Sequence, residues 1–83
     1  MKLWLLRPAK EKKGGPWDPW FDKSFGFVVR AETEEKAREI ADDNAGDENR
    51  DAKHPWLKSR YASCEELTPN GEEDLIMKDF ASA

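Results

Sequence analysis

The stretch that decides the fold runs from Phe25 to Arg38: Phe25-Gly26-Phe27-Val28-Val29-Arg30-Ala31-Glu32-Thr33-Glu34-Glu35-Lys36-Ala37-Arg38. In its first half, Phe25, Phe27, Val29 and Ala31 fall on one side of an extended chain. Gly26, Val28 and Arg30 fall on the other, so Ser24–Ala31 is predicted to be a half-buried strand. The period then changes. Thr33 is placed to cap a helix, with Glu34 and Glu35 in the first turn where carboxylates favour the helix dipole. Lys36 stands where a capping box needs Glu or Gln, so the reciprocal cap is not expected. Ala37, Ile40, Ala41, Asn44 and Ala45 recur at helical spacing and define the face expected against the sheet. Glu34 and Arg38 form an i,i+4 pair in the favourable order, and Gly46 is placed to end the helix in a left-handed conformation.

Working outward, Lys2–Arg7 (Lys-Leu-Trp-Leu-Leu-Arg) reads as a strand stopped by Pro8, which cannot donate to a ladder. Residues 9–15 read as a polar, mobile loop. Beyond the helix, residues 47–60 read as a second loop, its far end pinned by insertion of Trp56 from His54-Pro55-Trp56-Leu57. Ser63–Thr68 reads as a strand with Cys64, Glu66 and Thr68 on one face and Ser63, Glu65 and Leu67 on the other. The turn Pro69-Asn70-Gly71 then leads to a last strand at Asp74–Phe80, closing a hairpin. The expected fold is α+β: a single domain over residues 1–83 in the order β-β-α-β-β, one helix packed on one face of an antiparallel sheet of about four strands. A single helix leaves the other face uncovered. Trp4, Leu6 and Val28, with Leu75 and Met77 or with Ile76 and Phe80, are the residues assigned to it. Its cover is either the loop carrying Trp17 and Trp20 or a second subunit.

Composition bounds the function classes. The 83 residues are 39% charged with a formal net charge of −4. Leu, Ile, Val and Phe number 14, below the roughly 20% line at which chains of high net charge tend to disorder. The chain's four Trp therefore decide whether it has a core. Residues 1–30 carry seven basic and three acidic groups, and residues 31–83 seven basic and fifteen acidic; such polarity orients partners. No apolar run reaches the roughly 18–20 residues that span a bilayer. The apolar stretch Leu3–Leu6 is short of the roughly 7–15 residues of a signal-peptide core. The single Cys64 has no partner for an internal disulfide, in keeping with a reducing compartment. A cytoplasmic, non-membrane protein is expected.

Little points to catalysis. His54 and Cys64 are the only His and Cys, too few for a metal site, and a thiol on a strand is usually inert. The carboxylates Glu65, Glu66, Glu72, Glu73, Asp74 and Asp79 flank a turn, where solvent keeps them ionised. The run at 47–51 lacks the alternating ligands and closing Glu of a calcium loop. Gly14-Gly15 is followed by Pro16 rather than by a helix that could hold phosphate. The expectation is no enzyme, no cofactor and no metal. Lys10, Lys12, Lys13, Trp17, Trp20, Phe21 and Lys23 interleave cations and rings as single-strand binders do, but the acidic remainder argues against nucleic acid.

The most distinctive segment is Pro16-Trp17-Asp18-Pro19-Trp20-Phe21-Asp22. Large rigid rings on a loop either complete a core short of aliphatics or serve as binding anchors. Met1–Pro8, Trp17–Trp20, Phe25–Arg38 and the closing Glu65-Glu66-Leu67-Thr68-Pro69 and Lys78-Asp79-Phe80-Ala81-Ser82-Ala83 together resemble a group of small bacterial and phage-associated hypothetical proteins. That resemblance implies no activity and no functional residues. The strand, Glu/Ala-rich helix and hairpin are also similar in topology to several phage inhibitors of bacterial defence, an analogy of fold alone. The functional expectation is a protein-binding module that uses Trp17, Asp18, Trp20 and Phe21 with Glu72, Glu73 and Asp74. The alternative is a homodimer or assembly component joined through Trp4, Leu6 and Val28.

Overall fold

The computed structural model describes residues 1–9, 25–49 and 53–78. Their elements, in chain order, are β1 (Lys2–Pro8), β2 (Phe27–Ala31), α1 (Glu34–Asp43), short 3-10 turns at Asp47–Asn49 and Pro55–Leu57, and β3 (Ala62–Leu67). The sheet has the order β2-β1-β3, with β1 antiparallel to both neighbours. β2 and β3 therefore run parallel to each other on either side of β1, and α1 is the crossover between them. Register aligns Leu6 with Phe27 and Cys64, and Trp4 with Val29 and Glu66.

The alternation read for this strand holds over its second half, where Val29 and Ala31 are buried towards the helix while Val28 and Arg30 are exposed. The strand begins at Phe27, however, and Phe25, expected on the buried face, is 47% exposed. The helix begins as expected. Thr33 is extended and its Oγ1 accepts the Lys36 N–H at 3.2 Å, and Arg38 Nε donates to Glu34 Oε2 at 2.9 Å. Its end differs. Gly46 does not take a positive φ; Asn44 caps instead, donating its N–H to Ala41 O and its side-chain amide to Ile40 O at 2.8 Å. The Gly46 N–H is drawn to the carboxylate of Glu48 at 3.0 Å, which removes the need for a left-handed turn.

The core gathers Leu6, Val29, Ala31, Ala37, Ala41, Trp56 and Ala62. Four of these are alanines, on β2, α1 and β3, so helix and sheet approach closely, and Trp56 fills the remaining space. Its ring is wholly buried, meets Phe27 edge-on at 4.8 Å between centroids, and donates Nε1–H to Glu48 Oε2 at 2.6 Å. The insertion read from the sequence is thus observed. Arg38, not Ile40, takes the buried place on the helix: Ile40 is 41% exposed and Arg38 only 7%. Arg38 Nη1 donates to Trp56 O and Ala62 O, each at 3.0 Å. A guanidinium supplies several fixed donors, so it closes carbonyls that an apolar side chain would leave unmet.

Two further expectations change. Residues 74–78 form no strand, and Asp79 and Phe80 lie outside the described residues. Met77 shows why: a Cβ built on Gly26 would lie 2.7 Å from its Cε. The chain leaving β3 therefore reaches the β2 side of the sheet instead of pairing alongside β3. The face assigned to Trp4, Leu6 and Val28 is also not one face. Register places Leu6 and Trp4 on the helix side, where Leu6 is fully buried and Trp4 Nε1 donates to Ala31 O at 3.0 Å. Val28 pairs with Leu5 on the other side. The strand reading put residues of opposite parity together.

Replacing Trp56 by Phe removes the Glu48 hydrogen bond with modest loss of volume and is expected to cost about 1–3 kcal/mol. Trp56→Ala is expected to cost about 3–5 kcal/mol, a large share of the roughly 5–15 kcal/mol typical of a domain. Urea denaturation followed by far-UV circular dichroism measures both, and a Trp56→Phe variant as stable as the unaltered protein would contradict the contribution of the buried bond.

Candidate interaction surface

After β3 the chain turns at Thr68–Asn70 and borders an open depression of about 730 Å³ lined by residues 68–74 and Ile76. A second, of about 400 Å³, lies between this segment and the sheet, lined by Arg7, Glu65, Glu66 and Leu67 on one side and Asp74, Leu75 and Ile76 on the other. Glu72, Glu73 and Asp74 are exposed here as the sequence suggests. Beside them Leu75 is 70% and Ile76 52% exposed, two apolar side chains that the expected strand would have placed on opposite faces of a sheet. Glu65 is engaged by Arg7 at 3.3 Å and Glu66 by Lys2 at 3.7 Å. These are solvent-exposed cross-strand pairs of the kind worth little individually. The carboxylates of this surface are exposed to solvent. They suit attraction of a cationic surface, not proton transfer.

The aromatic half of the expected site, Trp17, Asp18, Trp20 and Phe21, lies outside the described residues, as do Lys10, Lys12, Lys13 and Lys23. On the face away from the helix, Leu5 is fully buried while Leu3 and Val28 remain exposed. The sequence reading placed Val28 on the uncovered face but chose Trp4 and Leu6 from β1 in place of Leu3, because the parity of β1 was misassigned.

The two residues with nucleophilic or acid–base potential are held apart in role. Cys64 stands on the helix side of β3, half-buried opposite Leu6. Burial pushes its thiol above the ordinary range; the Arg38 guanidinium opposes that shift and the Glu34 carboxylate adds to it. A thiol so placed is held protonated and is a poor nucleophile. His54 instead turns Nδ1 towards Asp42 Oδ1 at 2.9 Å, and its main-chain N–H donates to Asn49 Oδ1 at 2.9 Å. Asn49 in turn donates Nδ2–H to the same Asp42 oxygen at 3.1 Å. This cluster fixes His54 in a left-handed conformation, φ 49° and ψ 56°. The residue before a proline avoids that region, so the three contacts hold the chain where Pro55 and Trp56 enter the core. Among the described residues no group of three His, Cys, Asp or Glu is placed to hold a metal ion, and no helix is long and apolar enough to cross a membrane.

Comparison of the chain with family models, with curated proteins and with solved structures returned no match.

Alkylation of Cys64 in the folded protein is expected to be slow near neutral pH and to accelerate sharply in urea, followed by mass spectrometry. Because folding raises the thiol's pKa, the protonated thiol contributes stability at lower pH. That contribution is lost as pH rises through the folded thiol's titration. Cys64→Ser is therefore expected to flatten the alkaline fall in stability, and an unchanged alkaline limb would contradict this.

Proposed function

We propose that the chain is a non-enzymatic protein-binding module that acts by occupying a cationic surface on its partner. The observation that carries this reading is the juxtaposition of Glu72, Glu73 and Asp74 with the exposed side chains of Leu75 and Ile76 around an open depression. Exposed apolar groups rimmed by charge are the usual composition of an interaction site, and the acidic rim selects a basic partner. Trp17, Asp18, Trp20 and Phe21 are proposed as the aromatic anchor of the same activity. In its sharpest form the module is a phage-derived inhibitor of a bacterial defence or nucleic-acid-processing complex. The cytoplasm is its proposed location. A nucleic acid is a poor ligand for this reading because the acidic rim repels phosphate.

A second reading is favoured by Leu3 and Val28, exposed on the sheet face away from the helix. In it two copies associate through that face as a structural homodimer.

Capture from bacterial lysate tests the first reading. A specific partner is expected to be retained at low salt, released as salt rises, and lost with the triple variant Glu72→Gln, Glu73→Gln, Asp74→Asn and with Trp20→Ala. A partner indifferent to salt and to both variants overturns it. Light scattering tests the second: a mass that falls to the monomer on dilution supports it, and Val28→Lys should then abolish the dimer.

A further inference from the structure

The chain has three asparagines, Asn44, Asn49 and Asn70, and the structure treats them differently. Asn44 is tied to the helix end by its side-chain amide on Ile40 O and its N–H on Ala41 O. Asn49 uses both ends of its amide, donating to Asp42 and accepting from His54. Their successors, Ala45 and Arg50, carry side chains. Asn70 is exposed in a segment without helix or strand and is followed by Gly71. Gly71 has φ +149°, and a Cβ there would meet nothing within 4 Å. Among the described residues only the main-chain oxygen of Asn70 is engaged, by Thr68 Oγ1 at 3.3 Å. Among the described residues neither its side-chain amide nor the Gly71 N–H is hydrogen-bonded.

We propose that Asn70-Gly71 is a site of spontaneous modification, converting Asn70 to aspartate and isoaspartate. The Gly71 main-chain nitrogen attacks Asn70 Cγ, the new N–Cγ bond forms, and the Cγ–Nδ2 bond breaks. Nδ2 departs as ammonia, carrying the proton lost by the Gly71 nitrogen. Water then opens the five-membered imide. Cleavage of N–Cγ leaves aspartate, and cleavage of the original peptide C–N bond leaves isoaspartate, in which the main chain runs through Cγ. No redox partner is required. A glycine at the attacking position gives the freedom the ring closure needs, and an unpinned loop allows the approach that hydrogen bonds at Asn44 and Asn49 oppose. Each event takes the formal net charge one unit below −4 and places the new carboxylate beside Glu72 and Glu73. Isoaspartate also lengthens the main chain at the rim of the depression. This inference does not depend on what the depression binds.

The test is incubation of the folded protein at mildly alkaline pH, followed by tryptic digestion and mass spectrometry. Residues 61–78 form one tryptic peptide, with Asn70 as its only asparagine; residues 39–50 form another, holding Asn44 and Asn49. The expected result is conversion of the 61–78 peptide several-fold faster than the 39–50 peptide, with an isoaspartate product that an isoaspartyl methyltransferase labels. Asn70→Gln should suppress it in that peptide, and Gly71→Ala should slow it. The difference between the two peptides should shrink in urea, where Asn44 and Asn49 lose their hydrogen bonds. Equal or slower conversion of the 61–78 peptide in the folded protein overturns the proposal.

Discussion

A single buried guanidinium holds the architecture together. Arg38 projects from the middle of the helix into the space between the helix, the Pro55–Leu57 turn and the start of β3, and its donors meet Glu34, Trp56 O and Ala62 O. The main chain on both sides of the segment from Trp56 to Ala62 is thereby fastened to one side chain. Seating of the Trp56 ring, the position of the helix over the sheet and the origin of β3 all follow from it. Burying a cation is costly unless it is paired and fully hydrogen-bonded, and here the Glu34 carboxylate and the two carbonyls provide that compensation. Among the described residues no buried side-chain nitrogen or oxygen lacks a partner.

The small size of the aliphatic set then becomes intelligible. A composition test counts Leu, Ile, Val and Phe, but close packing depends on volume matched to the space available. Ala31, Ala37, Ala41 and Ala62 bring helix and strands near enough that one indole, one leucine and one valine complete the buried cluster. The polar groups sealed inside, Arg38 and Glu48, are not exceptions to this core. They satisfy the main chain and the indole N–H that such a short helix and irregular loop would otherwise leave unpaired.

Strand alternation, the Thr33 cap, the Glu34–Arg38 pair and the Trp56 insertion were legible because each rests on local spacing or on one dominant side chain. What escaped the sequence required knowledge of what lies opposite. Arg38 reads as a surface residue because its buried partners are carbonyls, which no residue letter reveals. Gly46 reads as a left-handed cap until Glu48 claims its N–H. The Asp74–Phe80 segment alternates like a strand, yet Met77 sits over Gly26 on the far side of the sheet. The acidic rim was legible as solvated carboxylates. Its juxtaposition with Leu75 and Ile76 was not, because those residues were assigned to a ladder.

The place of β1 in the sheet has a consequence for biosynthesis. The central strand is translated before both of its partners, and Leu3 lies opposite Leu67. Until β3 has been translated, β1 has only β2 of its two sheet partners, and the indole that completes the core also follows β1 and β2 in the chain. Pairings this distant in sequence carry a large loop-closure cost before they return any stability. Until β3 follows, the nascent chain carries β1 with one edge unpaired, and the charges of Lys2 and Arg7 flank that strand, where charge opposes edge-to-edge association.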